Sequence, residues 1–324
     1  MLKHIINNIF KSSNFISNSY NGNISILMFH RVLPDNENIK IPGIEINYTP
    51  FKNLILSLKN KYEFVSEDEL TDKSNKKKLF LTFDDGYKDN YDLVFPLLER
   101  LNVPFTIFVT TEMIEENLFL WWYALNDLLN SKNKISLTSE IKNFEKKTKN
   151  TKRKILNNLL RKMKPNEQID FFKLNFDLDL KEYKSINSKF SMNFSQIREI
   201  SNSKYGSIGG HTKSHLRLKN LNYENSLIEI ESNKLFIESI VGKKITCFAY
   251  PYGSTNDFSS KEIEILKNIG YKFGFSSIEG NYFINKNNYL IPRITINGNS
   301  KSLKNIDYRI SGFYTFVKKY LYVR

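Results

Sequence analysis

The sequence has almost no cysteine, on which disulfide-stabilised proteins depend. It contains one cysteine, Cys247, among 324 residues, so no internal disulfide can form. Nothing therefore indicates adaptation to an oxidising compartment, although bacterial envelope proteins can also lack disulfides. Cys247 lies in the apolar run 245–249, which is typical of a buried strand, and we interpret it as a core residue and not as a nucleophile.

Long apolar runs are absent as well. No stretch reaches the length of about 18 uninterrupted apolar residues that a membrane-spanning helix needs. In residues 1–23, asparagines interrupt the short apolar clusters, and no continuous apolar region precedes a small-residue cleavage site. The sequence therefore predicts no secretory signal and a cytoplasmic location. His4 lies in this segment and is interpreted as incidental.

Acidic residues are outnumbered by basic ones, and the net charge is +14. A lysine-rich and asparagine-rich proteome would produce such a charge without a function, whereas attraction to an anionic partner is the functional interpretation. No nucleic acid is expected, because no basic and aromatic module of a nucleic-acid-binding fold is visible. A lipid-diphosphate substrate, with peripheral contact at the inner membrane face, is the better hypothesis. The tail, 301–324, suits either a membrane interface or a closing helix.

What the sequence does contain is a series of short apolar runs, several of which end at a polar, reactive side chain. The runs are 24–29, 79–83, 104–109, 207–210, 245–250, 272–276 and 290–294. Stretches of helical period lie between some of them, at 91–101, 223–241 and 261–269. This alternation predicts an α/β protein with a parallel sheet buried on both faces, and about seven units fit a distorted (β/α)7-type barrel.

The alternation stops at residue 118, where the chain becomes helical and lysine-rich until residue 194. We predict an N-terminal segment at 1–23, a barrel formed by 24–117 and 195–300, a helical subdomain inserted after the third strand at 118–194, and a basic, aromatic C-terminal tail or helix at 301–324. Trp121 and Trp122 lie near the start of the insertion. Anchoring of its core is the favoured role, and stacking on a sugar at the mouth of a site is the alternative.

Two short segments concentrate the reactive side chains. Thr82-Phe83-Asp84-Asp85-Gly86 ends an apolar run with two carboxylates, and His211-Thr212-Lys213-Ser214-His215 holds two of the four histidines. One carboxylate and two imidazoles suit a divalent cation such as zinc, and leave positions for water or substrate. The other carboxylate is then free to act as a base. A turn with a helix cap and two imidazoles on a helical face are the structural alternatives. Together the residues indicate a metal-dependent hydrolase.

With Phe248-Ala249-Tyr250-Pro251-Tyr252-Gly253, these segments resemble the three motifs of the polysaccharide deacetylase family, also called NodB-homology or carbohydrate esterase family 4. The likeness runs from about residue 24 to 296 without the insertion. The resemblance implies that Asp85, His211 and His215 hold one divalent metal, zinc first and nickel, cobalt or iron as alternatives. It also implies that Asp84 is the general base.

The third motif is expected to contact the substrate. Pro251, Tyr252 and Gly253 are the candidate residues, and the resemblance implies that the backbone N–H of Tyr252 donates to the oxyanion. The family has an arginine that orients the base carboxylate at the position where this chain has Ala249. Arg293, after the last apolar run, is the candidate replacement, and a surface salt bridge is the alternative.

The catalytic acid is a second departure from the family pattern. Familiar members carry this histidine near the end of the domain, but no histidine follows His215 here. His30, directly after the first apolar run, is the candidate general acid, and a packing role is the alternative. In this respect the chain resembles the circularly permuted branch of the family, in which the strand that bears the histidine comes first.

These observations predict a hydrolase that removes the N-acetyl group from an N-acetylated sugar of a bacterial surface glycan or its lipid-linked precursor. An envelope enzyme acting on peptidoglycan or exopolysaccharide has the same chemistry, and a formyl or other short acyl group is a further option. A non-catalytic carbohydrate-binding or scaffold protein on the same fold is the alternative from another class. A nucleic-acid-binding module would instead show affinity that falls steeply with salt.

Overall fold

A computed structural model describes residues 23–72, 77–130, 144–176, 189–284, 286–298, 303 and 306–312. His4 and nearly all of the N-terminal segment lie outside the described residues. So do residues 313–324, which carry most of the aromatic and basic side chains of the tail, and the two interpretations of that tail stay predictions. Among the described helices, none is long and apolar enough to cross a membrane.

The main element is a curled, mixed sheet, with nine strands among the described residues. In chain order the strands of the protein are β1 (Asn23–Phe29), β2 (Arg31–Leu33), β3 (Glu45–Asn47), β4 (Glu63–Phe64), β5 (Lys78–Phe83), β6 (Phe105–Val109), β7 (Gly206–Gly210), β8 (Cys247–Ala249), β9 (Phe273–Phe275), β10 (Tyr282–Phe283) and β11 (Ile294–Thr295). The sheet order is β10, β1, β5, β6, β7, β8, β9, with β11 also on β1 and β4 on β5, while β2 and β3 form a separate pair. Among the described strand pairs, only that of β1 and β10 is antiparallel.

Ten helices accompany the strands in the described part of the chain. They are α1 (Tyr48–Lys59), α2 (Phe95–Leu101), α3 (Thr111–Ile114), α4 (Trp121–Asn130), α5 (Lys149–Leu160), α6 (Pro165–Phe176), α7 (Phe194–Asn202), α8 (Tyr223–Val241), α9 (Ser260–Asn268) and α10 (Ile306–Ile310). A π-helical turn, Asn90–Val94, leads into α2. The predicted helix at 223–241 has the bounds of α8, which ends at Gly242 in the left-handed conformation.

Alternate residues of the central strands supply two separate cores. Phe80 of β5, Phe108 of β6 and Phe275 of β9 belong to one cluster inside the curl of the sheet. Leu81 and Phe83 face the other way and pack in the larger cluster that includes the covering helices. Because both faces are buried, the strands read as continuous apolar runs, which is why the sequence identified them.

The curl of the sheet brings its two ends together as a half-barrel. Leu27 of β1 pairs with Ile294 of β11, and Ile291 forms a single bridge with Phe275 of β9. The α/β barrel-type fold predicted from the sequence is therefore confirmed. The run 290–294, however, is a strand only at its end, because Pro292 lacks the N–H that a continuous ladder needs.

The helices of the predicted insertion have a hydrophobic cluster of their own. It joins α4, α5 and α6 through buried side chains that include Phe119, Trp121, Leu156, Leu160 and Phe172. The rings of Phe119 and Phe172 meet edge to face at 5.4 Å between centroids. Trp121 is thus part of this core. The division of the chain into four parts stays a prediction.

Candidate active site

The two carboxylates and His30 meet because two neighbouring strands end at the same level. β1 and β5 are parallel, with Phe29 opposite Phe83. His30 and Asp84, the first residues after these strands, therefore lie next to each other at the edge of the sheet. The Asp84 N–H donates to the Phe29 carbonyl at 3.0 Å. Side chains at the carboxyl ends of parallel strands converge on one edge of a barrel, where active sites of such folds lie.

Asp85, His211 and His215 form a cluster that can hold a metal ion. Their candidate ligand atoms all lie within 4.8 Å of one another. The Nε2 atoms of both histidines are 3.3 Å from Asp85 Oδ1. This oxygen is buried and has no hydrogen-bond partner, which would be costly unless a cation satisfied it. The donor set and its unsatisfied oxygen fit zinc or a similar divalent ion.

A backbone contact sets the ring of His211. Its Nδ1 lies 2.7 Å from the Ala249 carbonyl oxygen, which can only accept a hydrogen bond. The proton must then be on Nδ1, and the lone pair of Nε2 points toward Asp85. Metal-binding histidines are commonly oriented by such a partner on their other nitrogen.

The loop 211–215 brings the histidines together without forming a helix. Thr212 and His215 have positive φ values, 66° and 54°. The His215 N–H donates to Thr212 Oγ1 at 3.0 Å. Asp85 also has a positive φ, 79°. Non-glycine residues in this conformation are strained and concentrate at functional sites.

Arg293 binds Asp84 on both carboxylate oxygens. Nη1 and Nη2 each lie 2.7 Å from one oxygen of Asp84, and Arg293 is only 1% exposed. Further bonds to the Ser276 carbonyl and Thr82 Oγ1 fix the guanidinium. Burial alone would raise the pKa of Asp84, but the nearby positive charge, that of Arg293 first, holds it below the usual value. The pair is thus buried within the site and is not a surface salt bridge.

His30 lies close to both carboxylates. Its carbonyl accepts a hydrogen bond from Asn90 Nδ2 at 2.8 Å, and its buried Nδ1 has no partner among the described residues. Burial lowers the pKa of the imidazole, and the charges of Asp85 and Asp84 oppose this only in part. His30 lines the same cavity as Asp84 and Asp85, and its role as general acid stays a prediction.

The third motif forms a turn beside the histidines. Tyr252 and Gly253 have positive φ values of 60° and 67°, after Pro251. The Tyr252 ring lies 4.9 Å from the His215 ring between centroids. The backbone N–H of Tyr252 makes no hydrogen bond to any described residue, so it is available to a ligand.

A cavity of about 690 Å³, large enough for a sugar with its neighbours, is lined by His30, Asp84, Asp85, His211, His215, Tyr252 and Arg293. Pro251 and Gly253, the other candidates of the third motif, do not line it. One wall comes from the helices after residue 118. Trp121 and Trp122 both line it, and Trp122 donates to the Tyr87 hydroxyl at 3.0 Å while its ring lies 5.5 Å from that of His215. Trp121 therefore packs in a core and also lines the cavity, while stacking on a sugar stays a prediction.

Sequence reasoning missed several residues of the cavity. The Ala249 carbonyl has no sequence signature, because a backbone acceptor can belong to any residue. Four residues of α5 and its end also line the wall, namely Asn150, Arg153, Asn157 and Arg161. Their spacing of three or four along a helix was visible in the sequence, but the direction of that face was not.

Comparisons with known proteins identify the family and the fold. A family model described as polysaccharide deacetylase matches residues 71–167 and 184–274. His30 and Arg293 lie outside the matched residues, and part of the predicted insertion lies within them. No curated protein matches the sequence.

Solved structures of low sequence identity share the fold. Deacetylase PplD of Streptococcus pyogenes, in complex with acetate, aligns with a TM-score of 0.60 and 18% identity over 90% of this chain and 99% of that one. IcaB from Ammonifex degensii gives 0.56 and 18% over 90% and 97%. A de-N-acetylase from Aggregatibacter actinomycetemcomitans gives 0.57 and 16% over 87% and 99%.

The fold and the family model define a hydrolase of the carbohydrate esterase class that acts on amide bonds. The chain belongs to the polysaccharide deacetylase family. The resemblance and the enzyme class predicted from the sequence are thereby confirmed, and the chain is a hydrolase. The circular permutation stays a prediction, although β1, which precedes His30, does lie between β5 and the last strand of the sheet.

Proposed function

We propose that this protein is a metal-dependent de-N-acetylase that acts on an N-acetylated sugar of a bacterial surface glycan or its lipid-linked precursor. One observation carries the proposal: the unsatisfied Asp85 Oδ1, faced by two histidine Nε2 atoms, lies beside a carboxylate that Arg293 holds ionised. Asp85, His211 and His215 would hold the ion, zinc first. Bound there, a metal would polarise the acetyl carbonyl and lower the pKa of a water molecule.

The residues of the chain supply the remaining steps of amide hydrolysis. Asp84, kept ionised by Arg293, accepts the proton of the attacking water as general base. The Tyr252 N–H donates to the carbonyl oxygen as negative charge develops on it. His30 gives a proton to the nitrogen as the carbon–nitrogen bond breaks, and acetate and a free amino sugar result.

The cellular setting is part of the same proposal. A cytoplasmic location with contact to the inner membrane face would give access to a lipid-linked precursor, and the net charge of +14 supports attraction to anionic headgroups. An envelope enzyme acting on peptidoglycan or exopolysaccharide is the competing setting. Both settings require the same catalytic residues.

Acetate release from N-acetylglucosamine oligomers tests the activity. Asp84→Asn removes the base but leaves the three metal ligands, so we expect a loss of about 10²- to 10⁴-fold in kcat with unchanged metal content. Asp92→Asn, the same change at an exposed position away from the cavity, is the control and should retain full rate. Full turnover by Asp84→Asn would refute the assignment of the base.

A further inference from the structure

One wall of the cavity carries positive charge that the reaction does not use. Asn150, Arg153 and Asn157 lie on α5, and Arg161 follows its last residue. Their spacing of three, four and four places them in one stripe along the helix. The neighbouring stripe, with Leu156 and Leu160, is buried in the core of the helical region. The packing of these two leucines therefore sets the rotation of α5 that turns the polar stripe toward the cavity.

The two arginines of this stripe have no acidic partner among the described residues. Arg153 Nη2 donates to Asn126 Oδ1 at 3.0 Å. The Arg161 guanidinium lies over the Tyr252 ring, 4.7 Å from its centroid. No described carboxylate is within 4.0 Å of either guanidinium, and α5 contains no acidic residue at all. Their remaining N–H donors are available to a ligand.

The carboxylates of the cavity cannot neutralise these charges. Among the described lining residues only Asp84 and Asp85 are acidic, and Arg293 and the two histidines face them. The arginines are close to the reacting centre, because Tyr252 touches both Arg161 and His215. Two ring contacts separate the guanidinium from a metal ligand, a span that one or two sugar units can bridge.

We propose that Arg153 and Arg161 form a subsite for an anionic group, a phosphate or a carboxylate, that the glycan carries beside the sugar to be deacetylated. A guanidinium binds either group with two parallel hydrogen bonds. The preferred substrate is therefore an acidic glycan or a phosphate-linked precursor, and a neutral homopolymer is a weaker one. The inference rests on the proposed de-N-acetylase activity for its place in catalysis, but anion binding itself is independent of turnover.

Calorimetry on full-length Asp84→Asn protein measures the binding without turnover. The probes are N-acetylglucosamine 1-phosphate, the disaccharide of glucuronic acid and N-acetylglucosamine, and neutral methyl N-acetylglucosaminide. We expect at least one anionic probe to bind about ten-fold or more tightly than the neutral one. Which of the two binds tighter distinguishes phosphate from carboxylate. Equal affinity for all three probes would overturn the subsite.

Matched variants separate the subsite from general charge. In the Asp84→Asn protein, the further substitutions Arg153→Gln and Arg161→Gln should abolish the preference for the anionic probes. The affinity for the neutral probe should stay unchanged. Lys154→Gln, an exposed cation of the same helix that does not line the cavity, should keep the preference. An equal loss in Lys154→Gln would overturn the proposal. The preference should also weaken as salt is raised, since Arg161 is exposed.

Kinetics on protein with an intact Asp84 distinguish the proposed anionic subsite from the proposed de-N-acetylase activity. A KM of the double arginine variant that rises more for anionic substrates than for neutral oligomers, with acetate release by the wild type on both, supports both. Release without any anionic preference removes the subsite and keeps the deacetylase. If wild-type protein releases no acetate from any probe, the proposed function fails, while the calorimetry still decides whether the anion site exists.

Discussion

Arg293 donates two hydrogen bonds of 2.7 Å to Asp84, from a position 209 residues further along the chain. The contact exists because β11 pairs with β1, next to β5, and so brings the end of the sheet against its centre. At the position where the family resemblance predicts an arginine, this chain has Ala249, whose carbonyl orients His211. We propose that Arg293 positions the base.

Arg293→Gln should move the acidic limb of the pH profile of kcat/KM to higher pH. Asp84 must be ionised to act as base, so activity is lost as the pH falls through its pKa. In the wild type Arg293 is the first of the positive charges that hold this pKa below its usual value against burial, so its loss should raise the pKa. We also expect kcat/KM to fall about 10²-fold at neutral pH, because the carboxylate is no longer held in place.

Two variants control this experiment. Arg293→Lys retains the charge and should leave the limb nearer its original pH. Arg309→Gln removes another doubly hydrogen-bonded arginine, that of Glu279, away from the cavity and should not shift the limb. An unshifted limb in folded Arg293→Gln would show that Arg293 does not act through Asp84.

His30→Gln should affect amide and ester substrates differently. The amine that leaves an amide needs a proton, and loss of a general acid typically costs about 10²- to 10⁴-fold. A phenolate leaves without one, so hydrolysis of p-nitrophenyl acetate should be largely retained. The measurement is kcat on both substrates. Equal losses on both would indicate that His30 has a packing role.

A buried ionic network next to the site should make a large contribution to stability. Arg31 Nε lies 2.7 Å from Asp89 Oδ2, and Nη1 donates to the Tyr123 hydroxyl, which in turn donates to Glu45. Arg31→Met leaves both carboxylates buried without their cation. We expect the free energy of unfolding, measured in urea, to fall by about 3–5 kcal/mol.

The control for this prediction is an exposed pair. Lys61 and Asp307 are 3.0 Å apart, with both side chains half exposed. Lys61→Met should cost about 1 kcal/mol or less, since solvent screens the interaction. Similar costs for the two substitutions would mean that the Arg31 network contributes little beyond a surface ion pair.

The sequence was sufficient for those parts of the site that follow strand ends. Asp84, Asp85 and His30 directly follow apolar strands. These strands can be recognised in the sequence as continuous apolar runs because both of their faces are buried, and their parallel pairing brings the three residues together. Arg293 could be nominated but not placed, because its contact with Asp84 depends on how far the sheet curls. Pro292 interrupts the last strand, so the pairing there could not be read as a continuous ladder.

The wall formed by α5 could not be predicted for a different reason. Its cations were visible, but which stripe faces the cavity is decided by the packing of Leu156 and Leu160 against other helices of the same region. Loop conformations were equally hidden, since the positive φ values of Thr212 and His215 occur at residues that rarely adopt them. Tertiary contacts, and not local sequence, impose both features.

The most direct test of the central claim is a metal titration of acetate release. Protein stripped by a chelator is reconstituted with zinc in steps, and bound metal and acetate release from an N-acetylglucosamine oligomer are measured together for the wild type and Asp85→Asn. We predict that activity rises in proportion to bound metal up to one ion per chain, and that the variant neither retains the ion nor releases acetate. Full activity in the stripped protein, or wild-type metal binding by Asp85→Asn, would contradict the account.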